Sequence, residues 1–334
     1  MQKIVRYWSC AGRQGVFAAL VGALVPGLIQ AQSGPQPPIE LIIPTAQQGS
    51  TDLIGRLVAD GLTQQGLGAV TVRNMPGQSG SIASDRVAKA TPDGRTLLVA
   101  TPSGHGIASA FLSDLPYDPV KSFTPIVRFA TAPYLLVVRV DGPQSLGEFV
   151  SRAKSAPTPM RYASTGSGGP HHLVAEYFFG RAGLKLEHKP MAGGAAALQS
   201  LAKGEVEVML PAAILAIPQI KAGLLRALAV SGDKRLEVLP NVPTFAEAGI
   251  PINVVSWYGL MAPKGLAADQ VERLSRAVQK TLDGPGVRDK LAQIATQTTA
   301  EGGEVFGRVI DEEVTQWRAL VSQLGLTKDA LGSD

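Results

Sequence analysis

The sequence predicts an α/β protein of two lobes, in which buried strands alternate with helices and two longer strands cross between the lobes. Short apolar runs end in turns rich in Gly, Ser or Thr, and a helical pattern follows most of these turns. Two β-prone stretches, residues 123–140 and 252–262, interrupt this alternation. The 334 residues also exceed what one compact core usually holds, which favours two lobes.

The first 31 residues have the pattern of a secretory signal peptide. Lys3, Arg6 and Arg13 form a positive region, residues 16–28 are almost entirely apolar, and Ala31 is a small residue at which a peptidase can cut. A membrane anchor is the less favoured alternative, because the apolar run is shorter than the ~20 residues that span a bilayer. We therefore expect cleavage near Ala31 and export to the periplasm.

Composition excludes several classes of protein. Cys10 is the only cysteine and lies in the leader, so the exported chain is expected to have no disulfide and to depend on its apolar core, as large bacterial periplasmic proteins do. Without the three basic residues of the leader, 28 basic residues stand against 27 acidic ones. The sequence has no basic stripe with interleaved aromatic residues, so we expect no nucleic-acid partner.

The first predicted unit is a strand, a turn and a helix. Residues 39–43 are an apolar strand that Pro44 ends, residues 45–49 form a polar turn, and Ser50 to Asp52 supply helix-capping side chains. The next predicted elements are a strand at 70–73, a helix at 80–90, a turn at 91–94, a strand at 96–100 and a loop at 101–105. Such alternation predicts a mostly parallel sheet with helices on both faces.

The stretch 123–140 is interpreted as the crossing into the second lobe, and 252–262 as the return. Between them the pattern predicts helices at 146–155, 171–181, 195–203 and 214–222, and strands at 160–163, 186–189, 206–210 and 225–230; helices at 269–282, 287–294 and 303–323 follow the return. Residues 36–133 and 256–334 are assigned to lobe 1 and residues 134–255 to lobe 2. Two crossings between two α/β lobes form a hinge beside a cleft, the architecture of periplasmic proteins that close on a ligand.

Four loops share a composition that suits an anion. Residues 45–51, 101–105, 164–171 and 190–196 each follow a strand, open a helix and consist largely of Gly, Ser, Thr and Ala. Glycine allows close approach to the backbone, and hydroxyls and helix N-termini donate hydrogen bonds. Helix capping explains any one such loop equally well, but four loops facing a cleft favour binding. The candidate ligand-binding residues are Thr45, Ala46, Gln47, Gly49, Ser50, Thr51, Ser103, Ser164, Thr165, Gly166, His171, Gly193, Gly194, Ala195 and Ala196.

Enzymatic motifs are incomplete in this sequence. Ser167 lies near His171 and His172, but its surroundings lack the first glycine of a G-x-S-x-G elbow. Neither a phosphate-binding loop nor a complete G-x-G-x-x-G motif is present, and the histidines lack metal-ligand spacing. We expect no enzyme, no metal and no cofactor, and keep a Ser-dependent hydrolase as a remote alternative.

A family resemblance is carried by segments that follow one another along the whole exported chain. They include IELIIPTAQQGSTDLIGRLVA, VRNMPGQSGSIASDRVAKATPDGRTLLVAT, LPYDPVKSFTPI, YASTGSGGPHHLVAEYF, IKAGLLRALAVSGDKRLEVLPNVPTFAEAGI and SWYGLMAPKGL. In this combination the chain resembles the Bug family, the TctC-like extracytoplasmic solute receptors of tripartite tricarboxylate transporters. The resemblance implies a type II, Venus-flytrap fold. It also implies a carboxylate ligand held largely by backbone amides and hydroxyls, here in residues 45–51, 164–171 and 193–196.

Two departures from the family pattern bear on the ligand. The first loop reads PTAQQGSTD where relatives resemble PFPPGGSTD, which adds Gln47 and Gln48 at the mouth of the cleft. Residues 210–213 are apolar, where relatives commonly carry an Asp-Asn-like pair. Without that acid a ligand amine has no partner, so we expect a carboxylate that lacks an amine and has an apolar or aromatic body.

The predicted function is therefore that of a periplasmic receptor, expected to be a monomer, which binds a small organic acid. The resemblance implies delivery of that acid to the membrane permease subunits of a tripartite transporter. A ligand sensor that docks on a signalling protein is the alternative, because it would use the same cleft.

Overall fold

Two β-sheets with helices on their faces make up the described residues, which are 37–112, 114–252 and 254–324 of a computed structural model. The predicted signal peptide and its cleavage site lie outside these ranges. Numbered in chain order and given as they lie side by side, the strands of the first sheet are β11 (Gln297–Gly302), β4 (Phe123–Pro133), β10 (Val255–Pro263), β3 (Thr96–Ala100), β1 (Ile39–Ile43) and β2 (Val70–Asn74).

The second sheet is built from the middle of the chain. Its strands in spatial order are β7 (Glu187–Pro190), β6 (Arg161–Ser164), β8 (Val208–Met209), β5 (Leu135–Arg139) and β9 (Leu225–Val230). The α-helices are α1 (Ser50–Gln64), α2 (Ser81–Ala88), α3 (Ala108–Phe111), α4 (Leu146–Ser155), α5 (Pro170–Ala182), α6 (Gly194–Lys203), α7 (Ala213–Lys221), α8 (Ala268–Leu282), α9 (Val287–Ala292) and α10 (Gly303–Leu324). The predicted two-lobed α/β class is thereby confirmed.

Strand β1 shows why an apolar run becomes a central strand. Leu41 and Ile43 face one core, against α1 and α8, while Ile42 faces a second core on the other side of the sheet. All three side chains are fully buried, and such burial stabilises a fold by about 1.5–3 kcal/mol for each side chain. Glu40 is the exception in this strand, and it forms an ion pair with Arg73 at the surface.

Both sheets are mixed, which corrects the expectation of mostly parallel sheets. Strands β1, β2 and β3 run parallel, but β10 is antiparallel to both β3 and β4. In the second sheet β6 is parallel to β7 and β8, whereas β5 is antiparallel to β8 and β9. The two predicted crossings correspond to β4 with β5 and to β10. These strands pair in antiparallel fashion because the chain passes from one sheet into the other at these points.

The two crossings meet at a buried knot of hydrogen bonds, which we call the hinge knot and define as Tyr134, Ser231 and Val254. Strand β4 ends in the first sheet and β5 begins in the second, so Tyr134 alone separates them. The Tyr134 N–H donates to the Ser231 hydroxyl (2.8 Å), which donates to the Val254 carbonyl (2.5 Å). One serine therefore joins the outgoing and the returning chain. The residue limits assigned to the lobes stay a prediction.

The lobes also share an apolar core. Ile107 and Trp317 belong to lobe 1 by the assignment above, yet they pack in the same cluster as Leu173 and Phe178 of lobe 2. The chain from Pro37 onward accordingly forms one compact unit. Among the described residues, none of the helices combines the length and apolarity needed to cross a membrane.

Three local predictions are wrong. The expected loop at 101–105 contains instead a π-helical turn, Ser103–Ile107, that leads into α3. Strand β11 was not predicted, because its sequence QTTAEG is polar and it joins the sheet through backbone pairing with β4. Strand β8 is shorter than the predicted 206–210, since only Val208 and Met209 pair with neighbouring strands.

The hinge knot predicts the effect of replacing Ser231. In Ser231→Ala the buried Tyr134 N–H loses its acceptor, so the free energy of unfolding should fall by about 1–3 kcal/mol. Urea denaturation measures this change. Ser151→Ala, at an exposed position on α4, is the matched control and should stay within about 0.5 kcal/mol of the unmodified protein. Equal stability of both variants would contradict the role of the knot.

Candidate functional site

Three helices that begin at the predicted loops have a glycine at the N-cap. The N-caps are Gly49 before α1, Gly169 before α5 and Gly193 before α6, and none of these helices receives a hydrogen bond from a capping side chain. Helix α4 is the contrast, because its N-cap Ser145 accepts a hydrogen bond from the Glu148 N–H. The first-turn N–H groups of the three loop-borne helices are thus left without a side-chain acceptor.

Such helix ends attract anions. The first N–H groups of a helix have no partner within the helix, and the helix dipole places partial positive charge there. By the lobe limits predicted from the sequence, α1 lies in lobe 1 and α5 and α6 lie in lobe 2, so each lobe would contribute donors. An anion between them would receive hydrogen bonds from uncharged backbone groups.

A polar network behind the first loop holds its shape. Asp52 is buried and accepts hydrogen bonds from the Gln48 N–H (2.9 Å), the Arg56 guanidinium (3.0 Å) and the Asn74 amide (2.8 Å). The Asn74 amide also donates to the Thr45 carbonyl (2.9 Å). Burial by itself raises the pKa of Asp52, but these hydrogen bonds, with Arg56 foremost, hold the pKa below its ordinary value. Asp52 is therefore ionised and stabilises the loop, and its oxygens already accept hydrogen bonds from within the protein.

Gln48 is one of the residues by which this loop departs from the family pattern. Its φ is +64°, in the left-handed region that favours glycine. The resemblance places a glycine at this position in relatives, so this chain adopts the same turn with a less suitable residue. The cost is offset by the bond from the Gln48 N–H to Asp52.

On the opposite side of the cleft, His171 presents an unengaged ring nitrogen. Its Nδ1 shares a hydrogen bond with the Thr165 hydroxyl (2.8 Å), and its buried Nε2 has no partner. Burial lowers the pKa of His171 to about 4, so the ring is neutral at neutral pH. The Ser164 hydroxyl, by contrast, is engaged with His188 Nε2 (2.7 Å) and the Gly166 carbonyl (2.9 Å).

Tyr258 adds a residue that sequence reasoning missed. Its hydroxyl is buried and makes no hydrogen bond of normal geometry. Burial raises its pKa, and the nearby side chains of Ser50 and Ser256 moderate that rise. Tyr134 of the hinge knot lies alongside, with its ring 5.8 Å from that of His171. Tyr134 thus lies near both His171 and Tyr258, and Tyr258 lies beside Ser50. The segment SWYGLMAPKGL contributes to the family resemblance, but nothing in the sequence distinguishes the Tyr258 hydroxyl from the polar atoms of Ser256 and Trp257 beside it.

The predicted candidates occupy different environments. Ser50 and Thr51 lie in the first turn of α1, and the buried Thr45 hydroxyl, which has no partner, lies near Gly49. Ala46, Gln47 and Ala195 are exposed, while Gly166, Gly193 and Ala196 are half-buried and Gly194 is buried. The loop at 190–196 is joined to the loop at 164–171 by the Met191 N–H, which donates to the Ser164 carbonyl (3.1 Å). Ser103 is half-buried in the π-helical turn, and nothing in the structure brings its side chain to the others.

A separate open groove of about 600 Å³ lies on lobe 1. Its lining residues include Leu112, Lys121, Asp311 and Arg318, and it shares none with the predicted loops. Its mixed charges do not match the uncharged donors of the cleft, so we do not assign the ligand to it. Among the described residues no cluster of three His, Cys, Asp or Glu side chains is arranged to hold a metal ion.

Comparison with known proteins identifies the family. The model of the tripartite tricarboxylate transporter family receptor, TctC, matches residues 54–326. The chain belongs to this receptor family. The proteins of this family are periplasmic solute-binding receptors and not enzymes, so the expectation of no catalytic activity agrees with the family.

Three solved structures resemble this receptor over nearly their whole length. The periplasmic binding protein BugD has a TM-score of 0.82 at 28% identity and covers 88% of this chain and 99% of its own. MatC of Rhodopseudomonas palustris, with bound malate, has a TM-score of 0.80 at 31% identity and covers 85% and 98%. Rpa4515 of the same organism, with adipate, has a TM-score of 0.82 at 30% identity and covers 87% and 98%.

The buried histidines predict a pH dependence of stability. Burial lowers the pKa of His105 to about 4 and, together with His188, lowers that of His172 to about 3; His171 behaves like His105. Because these groups bind protons near pH 6.5 only in the unfolded chain, acid favours unfolding. Glu313 opposes this effect, since burial raises its pKa to about 7 and protonation below that pH favours the folded state.

We expect the free energy of unfolding to fall by at most roughly 3 kcal/mol from pH 7 to pH 5, the net of the three histidines and Glu313. Burial also raises the pKa of Glu176, which makes the fall smaller. Urea titrations at the two pH values measure this change. Glu313→Gln removes the opposing group and should deepen the fall to roughly 5 kcal/mol. A stability that is constant over this range in the unmodified receptor would contradict the assignment of neutral buried rings.

Proposed function

We propose that this receptor binds a small organic acid in the cleft and delivers it to the permease subunits of a tripartite tricarboxylate-type transporter in the periplasm. The observation that carries the proposal is the set of three helices whose N-caps are glycine and receive no side-chain cap. We place one of them on lobe 1 and two on lobe 2, around the cleft. We also propose that the leader at residues 1–31 directs export and is cleaved near Ala31.

Uncharged donors are sufficient for useful affinity. A hydrogen bond to a charged group contributes about 1.5–3 kcal/mol, and a micromolar dissociation constant corresponds to about 8 kcal/mol. Several bonds from the first turns of α1 and α6 and from His171 therefore account for such an affinity once closure excludes water. We assign direct contact to Thr45, Gly49, Ser50, Thr51, Thr165, Gly166, His171 and Gly193 to Ala196, and leave Ala46, Gln47 and Ser103 as more distant candidates.

Tyr258 joins this set in our proposal, because its hydroxyl is buried beside Ser50 and makes no regular hydrogen bond. Ser164 takes a different role from the one expected. Its hydroxyl is engaged by His188 and Gly166, so we assign it the support of its loop.

The ligand is proposed to lack an amine. Residues 210–213 are buried and apolar, and the Pro211 carbonyl accepts a hydrogen bond from the Leu135 N–H (3.0 Å). The buried carboxylate of Asp52 is occupied by Arg56, Asn74 and Gln48. Neither place offers a free acid to an ammonium group. Malate and adipate, which are bound to MatC and to Rpa4515, also lack an amine.

Isothermal titration with a panel of acids tests the proposal. The panel pairs malate and adipate with aspartate and glutamate, which differ by an ammonium group, and adds benzoate as an aromatic acid. We expect an amine-free acid to bind most tightly, in the micromolar range or below. Aspartate or glutamate as the tightest ligand would refute the amine-free preference, and no binding of any organic acid by the exported chain would refute the function itself.

A further inference from the structure

A strained turn lies between β2 and α2, at the edge of the cleft. All four residues from Gly77 to Gly80 have positive φ, and two of them, Gln78 (+43°) and Ser79 (+54°), are not glycine. Non-glycine residues rarely adopt this conformation, and where they do the surrounding structure enforces it, often at ligand clamps. The turn therefore calls for a functional explanation.

From this turn the Ser79 side chain reaches a loop of the second sheet. The Ser79 hydroxyl donates to the Gly168 carbonyl at 3.0 Å, and these residues belong to loops of different sheets. The turn itself is firmly seated. The Gly80 N–H donates to the Gly77 carbonyl (2.8 Å), and Gly80 packs so closely on Pro44 that an added Cβ would lie 3.1 Å from the proline Cβ. Ser79 is thus held in place by the first cleft loop.

Gly168 is held just as firmly from the lobe 2 side. Its N–H donates to His172 Nδ1 at 3.0 Å. The His172 ring is buried and stacks on His188, with the ring centres 3.7 Å apart and an angle of 13° between the planes. His188 in turn bonds to the Ser164 hydroxyl at the start of the same loop. The peptide group of Gly168 is therefore oriented by a rigid pair of rings.

We propose that Ser79, Gly168 and His172 form an interlobe clasp that holds the two lobes closed over the bound ligand, with Ser79 as a positioning residue for binding. The inference rests on the proposed function of the cleft. The hydrogen bond from Ser79 joins groups on separate lobes, so it exists only when the lobes are together. It therefore slows ligand release and has little effect on ligand entry.

The test measures rates and not only affinity. Malate and adipate are the probes, and the one that binds the unmodified receptor more tightly is used throughout. In Ser79→Ala we expect the dissociation rate constant to rise about 5- to 10-fold, with an association rate constant within about twofold of the original. Ser79→Gly relaxes the strained turn but also removes the hydroxyl, so it should show the same faster release.

A second pair of variants tests the lobe 2 side of the clasp. His172→Asn keeps a hydrogen-bond acceptor near the position of Nδ1 and should retain slow release. His172→Leu removes the acceptor and should release the probe as fast as Ser79→Ala. Thermal unfolding without ligand shows whether each variant folds, and Ser151→Ala on the exposed face of α4 is the control that should change neither rate.

The outcomes separate the clasp from the function. If the unmodified receptor binds the probe and both Ser79 variants release it at the original rate, the clasp is wrong and the function stands. If only Ser79→Ala releases it faster, while Ser79→Gly does not, turn geometry and not the hydroxyl is responsible, which also overturns the clasp. If the unmodified receptor binds no organic acid, the proposed function fails.

Discussion

Ser231 ties together the two places at which the chain passes between the sheets. Its hydroxyl accepts a hydrogen bond from the Tyr134 N–H of the outgoing chain and donates one to the Val254 carbonyl of the returning chain. Both crossings are thereby joined at one point, and in the proposed site the loops after β1 and β6 lie on the two sides of one cleft. The same residue that passes between the sheets, Tyr134, packs on His171 at the base of that cleft. The hinge and the proposed binding site therefore share Tyr134 as a support.

In the function proposed here, the cleft holds an acid without a cation. Glycine at the N-caps leaves helix-end N–H groups open to a ligand, where a Ser or Asp side chain would have occupied them. The acids and bases nearby, such as Asp52 and Arg56, are paired with each other and brace the first loop. Uncharged donors suit a receptor that must release its ligand, because each bond is modest and closure of the lobes supplies the rest.

Much of the fold follows from local sequence patterns. The parts that could not be predicted depend on contacts between residues that are distant in sequence. Helix α4 has the predicted bounds because Ser145 caps it and its apolar residues recur at helical spacing. Strand β11 escaped prediction because a polar edge strand is defined by its pairing with β4. The π-helical turn depends on α10, since Gly106 leaves space in which an added Cβ would lie 2.7 Å from Trp317. The loops of the site were foreseeable from their glycines, whereas Tyr258 and Ser79 act through partners that are distant in sequence.

Gly49 is the position at which the binding of an acid by open helix N-termini is tested most directly. Its φ of −76° and ψ of 166° suit any residue. An added Cβ would lie 3.3 Å from the Ala46 carbonyl, so the exposed first loop must shift slightly, but it must do so equally in Gly49→Asp and Gly49→Asn. Both variants should cap α1 and differ from each other in charge. Calorimetric titration of both variants with the tightest-binding acid of the panel compares them. We predict that both variants weaken binding, because either side chain takes a first-turn N–H from the ligand. Asn should weaken binding by up to ~10-fold and Asp by at least ~100-fold, because the like charges of Asp and the ligand also repel at the helix end. Unchanged affinity in Gly49→Asp would contradict this prediction.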